Sequence, residues 1–197
     1  MNFELELESI KTYFDLAKEN IVNDSTGFEK KIKVQDKIDA YSKIYQVCTI
    51  NDFDDPDQGA IYCYEFYKKN MEEYCLAIKD TLIKNNFKNI DKKYKKFCYF
   101  IKWLKPIFNY LDRHYVLNNN LSNLELILPK QIFMNSIFKD NFNKIIQIIN
   151  FEIFEFRKKE REDVNKSYSF LTIAKDLDNN FYQELLDDLI QKIRIYY

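Results

Sequence analysis

Glycine and proline are nearly missing from this chain of 197 residues: Gly27, Gly59, Pro56, Pro106 and Pro129 are all it has. So few turn-formers argue against a turn-rich all-β fold. Two glycines this far apart also rule out the glycine-rich loops that cradle phosphates. A dominant charge sign is missing as well, since 30 Lys and Arg face 31 Asp and Glu. No overall basic field therefore points to nucleic acid. No window holds the roughly 18 apolar residues that a membrane span needs, so no membrane partner is expected. The start, MNFELELESIK, lacks the basic residues and apolar run of a secretory signal. A soluble intracellular protein is the expectation.

Chemistry-bearing patterns are missing too. Cys48, Cys63, Cys75 and Cys98 form no CxxC pair, and the single histidine, His114, has no cysteine near it in sequence. No zinc motif can be written from them. The thiols fall in helical stretches and read as buried free cysteines, which suits a reducing compartment. His114 sits in Asp112-Arg113-His114 near a helix end, where the dipole favours an exposed ring over a general base. Neither a Ser-His-Asp nor a Cys-His arrangement has recognisable local context. Glu72-Glu73 and Asp187-Asp188 are adjacent in sequence, so on a helix they point apart. Neither enzyme activity, nor a metal, nor a cofactor is expected.

What is present is apolar residues at helical spacing. Hydrophobic residues make up 46% and aromatics 17%, more than a disordered chain holds. Phe3, Leu7, Ile10, Phe14 and Ala17 predict a first helix that ends at the polar Asn23–Gly27 stretch. A second, from about Val34 to Thr49, carries two adjacent stripes: Val34, Ile38, Tyr41, Tyr45 and Cys48, then Ala40, Ile44 and Val47. Together they are wider than the ~100° face one core needs. Either this helix is sandwiched in the core, or it packs a core on one side and a partner on the other. Asn51–Gly59 reads as an acidic loop.

Tyr67, Met71, Tyr74, Ile78 and Leu82 mark a third helix, ended by Lys84-Asn85-Asn86. From Asp91 to Val116 the stripe is Tyr94, Phe97, Ile101, Leu104, Phe108, Leu111 and Tyr115. Pro106 within it either kinks one helix or starts a fifth after a fourth. Beyond Asn118–Asn120, helical segments are expected at about 121–138, 142–161, 165–177 and 179–197. The 142–161 stripe is Phe142, Ile145, Ile149, Ile153 and Phe156. The last is Phe181, Leu185, Leu189, Ile193 and Tyr196. The fold class is all-α, with successive helices packed antiparallel across short loops.

Two surface features stand out. Asp91-Lys92-Lys93-Tyr94-Lys95-Lys96-Phe97 interleaves basic and aromatic residues as nucleic-acid binders do, but Tyr94 and Phe97 belong to the core stripe and the lysines read as a solvated face. Tyr110 lies off the stripe with Arg113 three residues on. It either covers a neighbouring helix or belongs to an interface, where tyrosine and arginine are enriched.

Phe100–Val116, FIKWLKPIFNYLDRHYV, resembles the cullin N-terminal segment with its Tyr-(Leu/Met)-(Asp/Asn)-Arg-x-(Tyr/Trp)-Val ending. Tyr41–Thr49, YSKIYQVCT, is similar to the cullin second helix, and Glu65-Phe66-Tyr67-Lys68-Lys69 to the third. Glu160-Arg161 resembles the Glu-Arg that closes a later helix. The final segment, with Leu185, Leu189, Ile190 and Tyr197, is similar to the start of a second cullin repeat. The order and approximate spacing hold over about residues 34–161. The resemblance implies a cullin-repeat bundle, with a first repeat over 1–177 and the first helix of a second at 178–197.

It also implies a scaffold role in a cullin-RING ubiquitin ligase of the cytoplasm and nucleus. A Skp-type or BTB-fold adaptor, carrying the substrate receptor, would dock on the second and fifth helices. The adaptor-facing positions carried over are Tyr41, Tyr45, Tyr110 and Arg113, with Lys37 and Ile38 one turn earlier. Lys37 stands where other cullins use an aromatic or large apolar residue, so an adaptor here would offer it a carboxylate, or that edge would contribute little. The RING protein would be held only by a C-terminal domain outside these 197 residues. The expectation is therefore a fragment of a longer cullin, with a truncated adaptor-binding competitor, or an unrelated helical protein-interaction module, as the alternatives.

Overall fold

A computed structural model describes residues 3–23, 33–49, 57–158 and 165–195. Among them every regular element is helical: α1 (Phe3–Val22), α2 (Val34–Thr49), α3 (Gln58–Lys84), α4 (Ile90–Leu111), α5 (Ile127–Phe133), α6 (Phe142–Arg157), α7 (Asn165–Leu177) and α8 (Asn179–Ile195). The class is all-α, as the 3.6-residue periodicity predicts.

The expected stripes become the core. Leu7, Ile10, Phe14 and Ala17 of α1 are buried against α3, which presents Tyr67, Met71, Tyr74, Ile78 and Leu82. α4 is buried on more than one side, through Phe97, Phe100, Trp103, Leu104, Ile107 and Phe108, because α2, α3 and α7 all pack against it. Aromatic rings carry the contact from element to element: Phe14 edge-on to Phe100 at 5.3 Å, Tyr67 to Phe108 at 4.8 Å, and Phe97 to Phe133 at 4.4 Å. Further along, Phe138 meets Phe170 at 6.2 Å and Phe181 at 6.0 Å. Such pairs add about 0.5–1.5 kcal/mol each beyond the area they bury.

Pro106 does not divide its helix. α4 runs unbroken from Ile90 to Leu111 and continues through a π turn, Asp112–Val116. Proline removes the bond to the carbonyl four residues back. Here both Pro106 and Lys102 are exposed, so that carbonyl lies on a face open to water, while Trp103, Leu104, Ile107 and Phe108 hold the other faces in the core. The expected fifth helix is thus the C-terminal end of α4 with the π turn that continues it.

Gly59, expected in a loop, lies in the first turn of α3. A Cβ there would fall 1.9 Å from the Val47 carbonyl oxygen of α2, so glycine is what allows the two backbones to touch. The rest of the expected acidic loop, Asn51 to Pro56, is outside the described residues.

Two further expectations are corrected. The segment expected at 121–138 begins its helix only at Ile127, because Asn123 Oδ1 accepts from the Leu126 and Ile127 backbone N–H groups at 3.0 and 2.8 Å and caps the start. α6 ends at Arg157, and Phe156 is exposed while Ile145 and Ile149 are buried. In its last turn Phe154 is exposed as well, at 54%. Between α3 and α4, Phe87 is fully buried despite a φ of 58°; packing on Phe170 at 5.7 Å holds this bulky residue in a left-handed conformation.

Candidate docking face

The two apolar stripes of α2 take opposite environments. Ala40, Ile44 and Val47 are at most 2% exposed and form the inner stripe. In the other, Val34 is 75% exposed, Ile38 52% and Tyr45 44%, with Tyr41 and Cys48 half-buried. The helix is therefore not sandwiched within the core. It seats one stripe and offers the other, and the excess apolar width is surface.

α4 supplies the neighbour to that surface. Tyr41 and Tyr45 stack with ring centroids 6.5 Å apart, Tyr45 meets Tyr110 edge-on at 4.8 Å, and Tyr110 lies 4.4 Å from the His114 ring. Four rings thus run in one row across the α2–α4 seam. Burial pushes the Tyr110 phenol above its ordinary value, with Tyr45, Cys48 and Tyr41 adding to the effect, so at neutral pH it stays an uncharged hydrogen-bonding tip. Arg113 and His114 are exposed at the α4 end of the row, and Ile38 is exposed at the α2 end.

Lys37 turns inward: it is half-buried, and its ammonium lies 5.3 Å from the ring of the buried Trp103. A cation over an indole face is favourable by roughly 0.5–2 kcal/mol. That ring is also braced by Tyr13 at 5.1 Å, whose hydroxyl donates to the Asp36 carbonyl at 3.3 Å. α1, α2 and α4 are knitted together beneath this edge.

The π turn has its own support. Asp112 Oδ1 accepts from the Leu124 N–H at 2.8 Å, and the buried Tyr67 hydroxyl donates to the Leu124 carbonyl at 2.7 Å. The aspartate of Tyr-Leu-Asp-Arg is therefore structural, fixing the turn from which Arg113 and His114 project. π turns recur at functional sites.

Other candidates are placed elsewhere. Lys93 is buried and donates to the Ile21 carbonyl, so the Lys92–Lys96 run is not a uniform solvated face. The negative end of α1 draws one lysine in. Tyr94 and Phe97 are core, as expected. Among the described residues no group of three His, Cys, Asp or Glu side chains is placed to hold a metal ion, and no helix is long and apolar enough to cross a membrane.

The family model of the cullin alpha solenoid domain matches residues 18–197. The chain belongs to the cullin family. No curated protein and no solved structure matches the chain. In this cullin the motif residues of α2 and α4 meet in the ring row, and Tyr41, Tyr45 and Tyr110 form one surface with Arg113 at its edge. Lys37 is joined to the row only through α2 and Trp103. Glu160, Arg161 and Tyr197 lie outside the described residues. Sequence reasoning set His114 aside as a merely exposed ring; its spacing of four from Tyr110 was the signal that it joins the row.

Proposed function

We propose that this cullin acts as a non-catalytic scaffold of a cullin-RING ubiquitin ligase and that the α2–α4 face receives a Skp-type or BTB-fold substrate adaptor. The observation that carries the reading is the tyrosine row: three tyrosines from two helices, aligned over a rigid core, with Tyr45 exposed and Tyr41 and Tyr110 half-buried beside it. Rigid aromatic anchors with a polar rim are how protein interfaces obtain most of their affinity. Tyr41, Tyr45 and Tyr110 are the anchors, Ile38 extends the apolar contact, and Arg113 is the rim cation. Lys37 contributes mainly by holding Trp103 and the foot of α2. On this reading the protein works in the cytoplasm and nucleus, and the RING protein joins through a separate C-terminal domain.

Calorimetric titration with Skp-type and BTB-type adaptors tests it. Binding at micromolar Kd or tighter to one adaptor class is expected, weakened by Tyr41→Ala and by Tyr110→Ala by about 1–3 kcal/mol each. A folded protein that binds neither class, or binding indifferent to both substitutions, refutes the assignment.

A further inference from the structure

The four thiols are not equivalent. Cys48 is half-buried in the last turn of α2, and Cys63 is fully buried in the second turn of α3. Cys63 lies four residues on from Gly59, on the same face of α3, and Cys48 is the neighbour that most raises the Cys63 thiol. They flank the point where the α2 and α3 backbones touch: a Cβ on Gly59, one turn before Cys63, would lie 3.6 Å from the Cys48 Cα. A disulfide needs Cα atoms roughly 4.4–6.8 Å apart, a separation that two packed helices reach only around their point of closest approach. A glycine-mediated crossing is where two helices come close enough. Cys75 is buried on α3, and Cys98 is half-buried on α4.

We propose that Cys48 and Cys63 form a disulfide when the protein meets a peroxide, clasping α2 to α3 beneath the tyrosine row. Cys48 reacts first because it is the more accessible. Its thiolate sulfur attacks one peroxide oxygen, the O–O bond breaks, and the other oxygen leaves as water with the proton that Cys48 gave up. This leaves a sulfenic acid on Cys48. The Cys63 sulfur then attacks the Cys48 sulfur. The S–S bond forms as the S–O bond breaks, and the hydroxyl departs with the Cys63 proton as a second water. Two thiols are oxidised to one disulfide, and one peroxide is reduced to two waters. The neighbouring Cys48, followed by burial, pushes the Cys63 thiol up, so in the resting protein Cys63 is the protonated, resolving partner.

The reaction is read on the folded chain treated with hydrogen peroxide, then alkylated and weighed. The expected result is loss of two of the four free thiols, a mass lower by two hydrogens, a peptide map joining the Cys48 and Cys63 peptides, and full reversal by dithiothreitol. In Cys63→Ser, Cys48 is expected to stop at a sulfenic acid that dimedone traps. If that buried substitution prevents folding, the wild-type map still decides. Oxygen addition without a crosslink, a bond through Cys75 or Cys98, a disulfide between two chains, or no reaction of the folded protein overturns the proposal.

Discussion

Alanine at position 59 is expected to destabilise this protein, against the usual sign. In an open helical position Gly→Ala stabilises by about 1 kcal/mol, because alanine loses less backbone entropy on folding. At Gly59 the added methyl group would sit 1.9 Å from the Val47 carbonyl oxygen and 2.9 Å from its carbon, against an optimal heavy-atom separation of about 3.5–4.0 Å. The obstacle is the backbone of a packed helix, which cannot rotate aside as a side chain does. α3 must retreat from α2 by more than an ångström, opening the contact that seats Val47 and Cys63. Overpacking costs about 1–3 kcal/mol, and an immovable backbone obstacle places this case in the upper part of that range, about 2–3 kcal/mol, so after the propensity gain of about 1 kcal/mol a net loss of roughly 1–2 kcal/mol is expected. For a chain of this size that lowers Tm by about 2–8 °C. Thermal unfolding followed by circular dichroism reads it, with urea unfolding as a second measure. A Tm that is unchanged or raised would refute the reasoning, since it would mean that α3 does not lie against α2 at its first turn.

Two other outcomes follow from the hydrogen bonds. Tyr67→Phe leaves the Leu124 carbonyl without its 2.7 Å donor in a buried site, and a loss of about 1–3 kcal/mol in urea unfolding is expected; a change within error would show that water replaces the hydroxyl. Asp176 is the second case. Burial raises its carboxyl pKa, but hydrogen bonds from Tyr94 and from Lys130, the latter at 2.9 Å, outweigh this and hold it below the usual carboxylate range. A depressed folded pKa contributes stability that is present above the unfolded value of about 3.9 and lost as pH falls through the folded one. The Tm difference between the wild type and Asp176→Asn should therefore be seen at neutral pH and vanish in strong acid. A difference that does not vary with pH contradicts the assignment.

Helix positions and most core residues were legible because both are local. Apolar residues every three or four positions report the buried side of a helix whatever it packs against, and the stripes of α3 and α4 read correctly on that basis. Even the excess width of α2 was visible, though not which stripe would face inward. Lys93 was misread because its partner is the carbonyl end of α1, some seventy positions away in sequence. Nothing near Lys93 announces that contact. Gly59 was misread for a related reason: beside an acidic stretch it looks like turn punctuation, and only the approach of α2 gives it a different role.

The sequence by itself determined that the protein is all-α, where most of its helices run, and, through several cullin-like motifs in order, the family. These properties rest on periodicity and on residue types at short separations. The tertiary structure alone decided that Tyr45 meets Tyr110, that Pro106 leaves α4 whole, and that two of four cysteines sit together at a backbone crossing. Each depends on how close two helices approach and at what rotation, quantities set by the packing of many side chains at once.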